Sequence, residues 1–373
     1  MRRTLRGRGP GSASSRRNEV KFTRSELTSA LVLLNRVITP ECRALPILAN
    51  ILMEPQQETI QLTTTDLETG VVLRLGTPEP KDRPVAVPAR KLLALLRALP
   101  KPTQDLSIQC GDNFAVNVAG ITLAGAAPEA FPTVQCDVTA TPHPVMGLVA
   151  AFRCVAPAML HDTSGDTLNG AYVNLPQGVV VATDRHRFHR VQVPRATLPA
   201  RAAIIPRAAV ILAGHLGRFL RPPERMTITE KAICIPLING GFLVARTLDG
   251  KYPNYGQVVP TPPHALTTSR IGLIGTITNA AVVSEGRNKS VTLLLRASPA
   301  IHAASPDVGE TTLPLPDATY TGPDCAIGFN ARYLLAALDA CVQETVTIRV
   351  TDAESLCRID DGAFTAVIMP LRI

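Results

Sequence analysis

The stretch PVAVPARKLLALLRAL at residues 84–99, followed by DLSIQ at residues 105–109, contains the pattern that decides the fold. Its first residues alternate valine with small residues and end at Pro88, which interrupts a regular element. The leucines after Pro88 recur at three- and four-residue intervals, the period of an amphipathic helix of about three turns. Proline is tolerated at a helix start because the N–H that it lacks would be unpaired there. The stretch therefore predicts a strand, a helix and a second strand in that order.

The same order of elements recurs twice more, at a spacing of roughly 120 residues. The second copy reads AIIPRAAVILAGHL (203–216) and RMTIT (225–229), and the third reads AIGFNARYLLAALDA (326–340) and TVTIRV (345–350). Pro206 and Asn330 take the place of Pro88, and we expect the Asn330 side chain to cap the third helix. A period of this length is that of a domain rather than of a solenoid repeat. The chain therefore contains three copies of one domain.

Each copy has a matching half upstream, and this half also predicts a helix. The three helical segments lie within residues 20–38, with Ser25 as a candidate start, 144–155 and 271–283. Alternating strands such as TIQLTTT (59–65) and GVVVAT (178–183) separate the halves. We predict an α+β fold of three similar domains, each a pair of helix-plus-antiparallel-sheet units. The predicted boundaries are a flexible basic tail at 1–18 and domains at 19–138, 139–262 and 263–373.

Composition and charge describe a globular protein with a basic extension. Hydrophobic residues make up 46% and charged residues 18% of the chain, and no apolar run approaches the roughly 20 residues that span a bilayer. The net charge is +8, but residues 1–18 contain six arginines and no acid, so subtracting six leaves +2 for the remainder. The tail is compatible with phosphate contacts, a transit-like peptide or an over-extended start site. We expect no membrane association.

The cysteines are scattered, without a C-x-x-C pair or a zinc-like Cys/His spacing. Several lie in apolar runs, where a free cysteine packs as a small hydrophobic residue. We therefore expect reduced thiols in a cytoplasmic protein. The eight cysteines are Cys42, Cys110, Cys136, Cys154, Cys234, Cys325, Cys341 and Cys357.

Six similar half-units per chain suggest a closed ring. Sheets that pair edge to edge around a circle leave no exposed strand edge, and two chains would supply twelve helices to line the hole. The predicted helices are rich in basic residues, which can contact DNA phosphates without reading bases. Amphipathic helices commonly expose Arg and Lys for solubility as well, so charge alone leaves DNA binding open. The basic residues are Arg24, Arg36, Arg90, Lys91, Arg97, Arg153, Arg207, Arg218, Arg270 and Arg332.

Several further motifs, in order along the chain, carry a resemblance to a known family. They are RALPILANIL (43–52), LTTTDLE (62–68), VPARK (87–91), LNG (168–170), ATDRHRF (182–188), DGKYPNY (249–255) and VIMPLRI (367–373). From about Val20 to the last residue the chain resembles the bacterial DNA polymerase III beta subunit, the beta sliding clamp.

The resemblance implies a head-to-tail homodimeric ring that encircles double-stranded DNA without sequence preference. It implies loading by an ATP-driven clamp loader and use by DNA polymerases and repair proteins, as a non-catalytic subunit of a DNA-directed DNA polymerase (nucleotidyltransferase) holoenzyme with no cofactor, metal or catalytic residue. Partner peptides would insert into a hydrophobic pocket between the second and third domains. The matching pocket residues are Leu168, Thr183, His186, Arg187, Phe188, Pro253, Val258, Tyr333, Ser355, Val367, Met369, Pro370, Leu371 and Arg372. Arg43, Arg90 and Arg207 match basic positions that the family directs at DNA.

The chain also departs from the family pattern near the expected pocket. Arg185 stands where the family usually has glycine, and Gln257 stands where arginine is common. Asp166 and Thr167 fall where some members have DNA-contacting tyrosines. These departures indicate a divergent clamp. We expect its partner peptides to differ from the usual set.

Two other classes of function compete with this interpretation. Asp184, His186 and His189 could ligate a metal or serve acid–base catalysis, although flanking arginines would repel a cation and no H-E-x-x-H, phosphate-binding glycine loop or nucleophile elbow occurs. The second alternative is a clamp-fold decoy, resistance or regulatory protein that binds clamp partners without encircling DNA.

Overall fold

The computed structural model describes most of the chain from Glu19 to Arg372 and resolves two compact units. The first unit comprises the described residues up to Asp66 and those from Val71 to Val134, and the second comprises Leu67–Gly70 and those from Gln135 onward. The predicted tail (1–18), Arg43 and Ile373 lie outside the described residues. The described ranges are 19–38, 44–78, 83–100, 105–111, 113–136, 142–144, 146–161, 166–194, 201–229, 231–284, 286, 289–315 and 317–372.

Residues 19–134 form two helices and two groups of antiparallel strands. Strands β1, β6, β7 and β8 are neighbours in one sheet, and β5, β2, β3 and β4 are neighbours in another. The elements are β1 (Glu19–Thr23), α1 (Arg24–Leu34), β2 (Asn50–Pro55), β3 (Ile60–Thr65), β4 (Thr69–Leu75), β5 (Val85–Pro88), α2 (Ala89–Ala98), β6 (Asp105–Cys110), β7 (Ala115–Val118) and β8 (Ile121–Ala124).

The helix that follows Pro88 forms as predicted, with its apolar stripe buried. Leu92, Leu93 and Leu96 of α2 are buried. Helix α1 begins one residue before the candidate start at Ser25, because the Thr23 hydroxyl accepts the N–H of Glu26 and caps the helix.

The middle segment (residues 139–262) repeats this order of elements. Its first helix is shorter than predicted, since Gly147 adopts a left-handed φ of 77° and the helix begins only at Leu148. The second helix begins directly after Pro206, as predicted. The elements are β9 (His143–Pro144), α3 (Leu148–Val155), β10 (Gly170–Asn174), β11 (Val179–Thr183), β12 (Arg187–Gln192), β13 (Ala202–Pro206), α4 (Arg207–Gly214), β14 (Arg225–Ile228), β15 (Ala232–Pro236) and β16 (Phe242–Arg246).

The C-terminal segment (residues 263–373) again contains a helix pair flanked by antiparallel strands. Asn330 caps its second helix by accepting the N–H of Arg332 at 3.0 Å, as predicted. The elements are β17 (His264–Ser269), α5 (Arg270–Val283), β18 (Ser290–Leu295), β19 (Ala300–Ser305), β20 (Gly309–Pro314), β21 (Thr319–Thr321), β22 (Cys325–Asn330), α6 (Ala331–Ala340), β23 (Thr345–Val350), β24 (Cys357–Asp361) and β25 (Phe364–Ile368). Short 3₁₀ helices occur at Pro46–Ala49, Pro128–Ala130, Ala156–Ala158, Gly217–Phe219, Ile238–Gly240 and Tyr255–Gln257.

A nine-stranded sheet joins the middle and C-terminal segments. Its order is β13-β10-β11-β12-β25-β24-β23-β17-β21, so β12 of the middle segment pairs directly with β25, the last strand of the chain. The register places Phe188 opposite Val367. Continuous hydrogen bonding across this junction gives the two segments one shared sheet.

In each helix pair, an arginine from the first helix binds a backbone carbonyl at or just beyond the end of the second. In the first two pairs the carbonyl belongs to the last turn of the second helix, where a cation stabilises the helix because the last carbonyls are otherwise unpaired and carry the negative end of the helix dipole. These arginines belong to the set expected to face DNA, and part of their hydrogen-bonding capacity is used within the fold. The contacts are Arg24 Nη2 to Leu96 O (2.7 Å), Arg153 Nε to Gly214 O (2.6 Å) and Arg270 Nε to Gln343 O (2.9 Å).

The expectation that all cysteines are reduced is wrong for one pair. Cys136 forms a disulfide with Cys234 of β15, with their Cα atoms 6.4 Å apart. The two residues are 98 positions apart in sequence, and only the fold brings them within bonding distance. Cys110, Cys154, Cys325, Cys341 and Cys357 are free.

No helix within the described ranges combines the length and apolar character that a bilayer crossing requires.

Candidate functional site

The candidate pocket is built where β12 meets β25. Leu168, Phe188 and Val367 are buried and belong to one apolar cluster, together with Tyr252. Phe188 lies on β12 and Val367 lies opposite it on β25, while Leu168 precedes β10. Residues separated by up to 199 positions therefore form one apolar cluster, which we take as the floor of the candidate pocket.

An aromatic stack extends this floor. The rings of Tyr172 and Tyr252 stack with centroids 5.2 Å apart, and Tyr255 lies 6.2 Å from Phe188. Burial raises the pKa of Tyr252, so this side chain stays neutral at physiological pH. Tyr252 and Tyr255 are absent from the pocket residues predicted from sequence. The DGKYPNY motif contains both, and its aromatic content was the available signal.

The turn before β12 holds Arg187 in place. Asp184 accepts the backbone N–H groups of His186 at 3.0 Å and Arg187 at 2.9 Å, and its other oxygen accepts Arg187 Nε at 2.9 Å. The Thr183 hydroxyl donates to the carbonyl of Arg187 at 2.7 Å. The guanidinium of Arg187 also lies over the ring of Tyr333 on α6, 4.2 Å from its centroid. A carboxylate and an aromatic face thus fix this cation, and the contact links β12 with α6.

The end of the chain forms a further wall. Met369 N donates to His186 O at 2.8 Å, and Leu371 N donates to Gly328 O at 2.8 Å. The segment therefore runs from the turn before β12 to β22 with its backbone held at both points. Met369 is 46% exposed, which leaves a flexible apolar side chain available to a ligand.

The remaining predicted pocket residues lie at the margin of the cluster. Pro253, Val258 and Arg372 are exposed, while Ser355 and Pro370 are half-buried. The Ser355 hydroxyl donates to Asp352 at 2.9 Å. The chain neighbours of three of these residues pack in or against the cluster: Tyr252, Val259 and Leu356.

Two of the three predicted DNA contacts are described, and they differ in environment. Arg90 is exposed and donates from one Nη to Ile38 O at 3.0 Å. Arg207 is half-buried and donates to Met159 O at 3.2 Å. Burial, and then the charge of Arg187, lower the pKa of Arg207. Arg90 is therefore the more accessible of the two to a phosphate.

The structure gives no support to a metal site at Asp184, His186 and His189. His189 is fully buried, its Nδ1 donates to Cys154 O at 2.7 Å, and burial lowers its pKa to about 4. Both carboxylate oxygens of Asp184 accept hydrogen bonds from the turn itself. Among the residues that the structure describes, no group of three or more His, Cys, Asp or Glu side chains is placed to hold an ion.

Comparison with known proteins identifies the family. Residues 19–135 match the family described as DNA polymerase III beta subunit, N-terminal domain, and residues 257–372 match its C-terminal domain. The beta sliding clamp of Salmonella typhimurium is 30% identical over 347 residues, which cover 88% of this chain and 93% of that protein. The beta sliding clamp of Escherichia coli (strain K12) is 30% identical over 356 residues, with the same coverage. The chain belongs to the beta sliding clamp family.

Solved structures of beta sliding clamps have the same fold. A Pseudomonas aeruginosa DnaN sliding clamp bound to griselimycin superposes with a TM-score of 0.79 at 24% identity, covering 96% of this chain and all of that one. The Thermotoga maritima DNA polymerase III beta subunit gives 0.82 at 19% identity and covers 95% of this chain. The predicted family and clamp fold are confirmed, while the individual pocket and DNA-contacting residues stay predictions.

Proposed function

We propose that this member of the beta sliding clamp family works as a ring that encircles duplex DNA and keeps a polymerase at the primer end. A tether of this kind forms no bond in the substrate and acts by raising the local concentration of the enzyme. The observation that carries the proposal is the 30% identity to beta sliding clamps over 88% of the chain and 93% of their length. Three domains, at the boundaries predicted from sequence, would supply the repeated arc of the ring.

Open sheet edges support head-to-tail closure of two copies. Strand β8 is the last strand of its sheet and is largely exposed, as is β20 at the edge of the sheet β20-β19-β18-β22. Exposed apolar side chains lie close to these edges in sequence, namely Ile121 at 48% and Val308 at 53% exposure. Exposed edges with apolar residues are templates for pairing with another chain. One open edge in the first segment and one in the C-terminal segment would give a heterologous contact, which closes into a ring if the rotation allows.

The helices of the first unit provide a basic surface. Arg36, Arg90, Lys91 and Arg97 of the α1–α2 region are exposed. The first turn of α2 carries two of these cations and no acid. Such a surface would contact phosphates through water and leave the DNA free to slide.

The pocket would receive a short peptide from each partner. An apolar floor with an adaptable methionine at its edge suits aliphatic or aromatic anchors, and the fixed arginine would orient the peptide backbone or its polar groups. We propose DNA polymerases, repair proteins and an ATP-driven clamp loader as partners, in the cytoplasm. In that role the chain would be the non-catalytic subunit of a DNA-directed DNA polymerase, a nucleotidyltransferase holoenzyme.

Light scattering over a concentration series tests ring closure. We expect a stable species near twice the 39.8 kDa chain mass. Ile121→Asp on β8 should convert it to a monomer, because a carboxylate would be desolvated at the new edge. Met146→Asp introduces the same change at another exposed site and should leave the mass unchanged. A wild-type monomer at micromolar concentration would contradict ring closure and favour the decoy or regulatory function.

A further inference from the structure

Arg185 adopts a backbone conformation that its side chain disfavours. Its φ is 74°, in the left-handed region that glycine occupies readily and residues with a Cβ atom do not. The turn imposes this conformation, because the Arg185 N–H donates to the Thr183 hydroxyl at 3.2 Å and the next two N–H groups donate to Asp184. A long cation at such a position suggests that the side chain has a function that offsets the strain.

The Arg185 side chain forms an ion pair across the edge of the pocket. Its Nη2 lies 2.6 Å from Asp166 Oδ2, and the other oxygen of Asp166 accepts the N–H of Leu168 at 2.9 Å. The pair therefore connects the turn that leads to Phe188 with the turn that leads to Leu168. Both of these residues belong to the pocket floor. The ion pair lies beside the place where a peptide anchor would enter.

The exposure of this ion pair allows Arg185 to bind a second carboxylate in place of, or in addition to, Asp166. The Arg185 side chain is 69% exposed and that of Asp166 is 23% exposed, so the anion is held by the fold while the cation lies in solvent. Exposed ion pairs contribute little net stability, because water screens the attraction. A guanidinium has five N–H donors, so it can bind a second carboxylate while it keeps or releases the first.

We infer that Arg185 is a specificity-determining residue that selects partner peptides with an acidic side chain next to their apolar anchor. This inference rests on the proposed peptide-docking function of the pocket. Arg187, the other arginine of the turn, is held by Asp184 and Tyr333, so its charge is already paired within the fold when peptides arrive. Arg185 discriminates among them, because its guanidinium is the exposed cation of the turn.

Fluorescence anisotropy with matched peptides tests the inference. The probes are fluorescein-labelled nonapeptides with a fixed Leu-Phe anchor, in which Asp or Asn is placed at each other position in turn. At one position at least, the Asp peptide should bind wild type about fivefold more tightly than the Asn peptide. In Arg185→Gln and Arg185→Gly this ratio should fall to about one. The glycine variant relieves the backbone strain and the glutamine variant retains it, so agreement between them assigns the effect to charge.

Two controls make the result specific. Arg190→Gln removes a cation from β12, the strand that follows the turn, where Arg190 donates to Gln192, and should keep the wild-type ratio. Asp166→Asn removes the competing anion and should raise the ratio. An unchanged ratio in Arg185→Gln, or equal binding of Asp and Asn peptides at every position, would overturn the inference and leave the docking function standing. Failure of wild type to bind any peptide would overturn the docking function, and the inference with it.

Discussion

The guanidinium of Arg187 lies 4.2 Å from the ring centroid of Tyr333, and its Nε lies 2.9 Å from a carboxylate oxygen of Asp184. Arg187 is the first residue of β12 and Tyr333 is on α6, so this stack crosses from the middle segment to the C-terminal segment. The Arg187 and Asp184 side chains are only 16% and 10% exposed, so solvent screens their attraction weakly. The contact therefore joins the two segments that contribute residues to the candidate pocket.

Replacing Arg187 should therefore weaken both the pocket and the fold. Arg187→Ala removes the ion pair and the cation–π contact and leaves Asp184 without its cation, which together should cost about 2–3 kcal/mol of unfolding free energy. Peptide affinity should fall about tenfold or more. Arg187→Lys keeps the charge but not the planar stacking and should be intermediate. Denaturant unfolding and peptide anisotropy measure the two effects, and full peptide affinity in Arg187→Ala would contradict the assigned role.

Deleting Met369–Ile373 should abolish peptide binding. The cut removes the backbone bonds to His186 and Gly328 and the exposed methionine, but it leaves β25 intact to Ile368. The dimer mass should not change. A shorter deletion of Arg372 and Ile373, the first of which is exposed, is the matched control and should bind peptide more tightly than the longer one. Full polymerase stimulation by the longer deletion would show that the pocket lies elsewhere.

Charge reversal at the predicted DNA-contacting arginines should separate DNA binding from peptide binding. Arg90→Glu should reduce retention on DNA by about tenfold at low salt, with little effect on peptide binding, because Arg90 is exposed. Arg207→Glu should also lower stability, because its half-buried cation binds the carbonyl of Met159. Arg349→Glu on β23 makes the same charge change at an exposed strand position. If Arg90→Glu and Arg349→Glu reduce retention on DNA equally, Arg90 has no specific role in DNA binding.

His189 should make the fold sensitive to mild acid. Its native pKa is about 4 against an ordinary value of 6.5, because burial disfavours the charged imidazolium. The unfolded chain therefore binds a proton between pH 6.5 and 4 that the native chain does not. The contribution of neutral His189 to the free energy of unfolding is complete above pH 6.5. The free energy of unfolding then falls by up to about 3 kcal/mol as the pH drops to 4.

His189→Gln should flatten this dependence, since glutamine does not titrate and its amide can still donate to Cys154 O. The exposed His215→Gln is the control, and its stability should follow the wild-type curve. Urea unfolding at a series of pH values measures both. Parallel curves for wild type and His189→Gln would show that His189 does not account for the loss.

The repeated pattern of strand, breaker and helix was readable because it is local. Helices α2, α4 and α6 begin directly after Pro88, Pro206 and Asn330, which are residue types that favour a helix start. The start of α3 at Leu148 differs from the predicted start, because the left-handed turn at Gly147 has no periodic signal. The residues of the pocket could be named only through the family resemblance, since the β12–β25 pairing that assembles them links distant parts of the chain.

Contacts between residues that are distant in sequence could not be predicted from the sequence alone. The Cys136–Cys234 bond joins residues 98 positions apart, and their scattered spacing resembles that of free thiols. The Arg185–Asp166 pair is another case, because neither loop shows which side chain it will face. The departure from glycine at residue 185 therefore places a cation in a defined contact with Asp166.

Retention on circular DNA tests the central claim most directly. The protein would be loaded onto nicked circular duplex with its clamp loader and ATP, isolated by gel filtration at moderate salt, and then treated with an enzyme that linearises the circle. A topological link predicts co-elution with the circle and loss of the protein within minutes of linearisation. Equal retention on circular and linear DNA, or none on either, would contradict a sliding clamp.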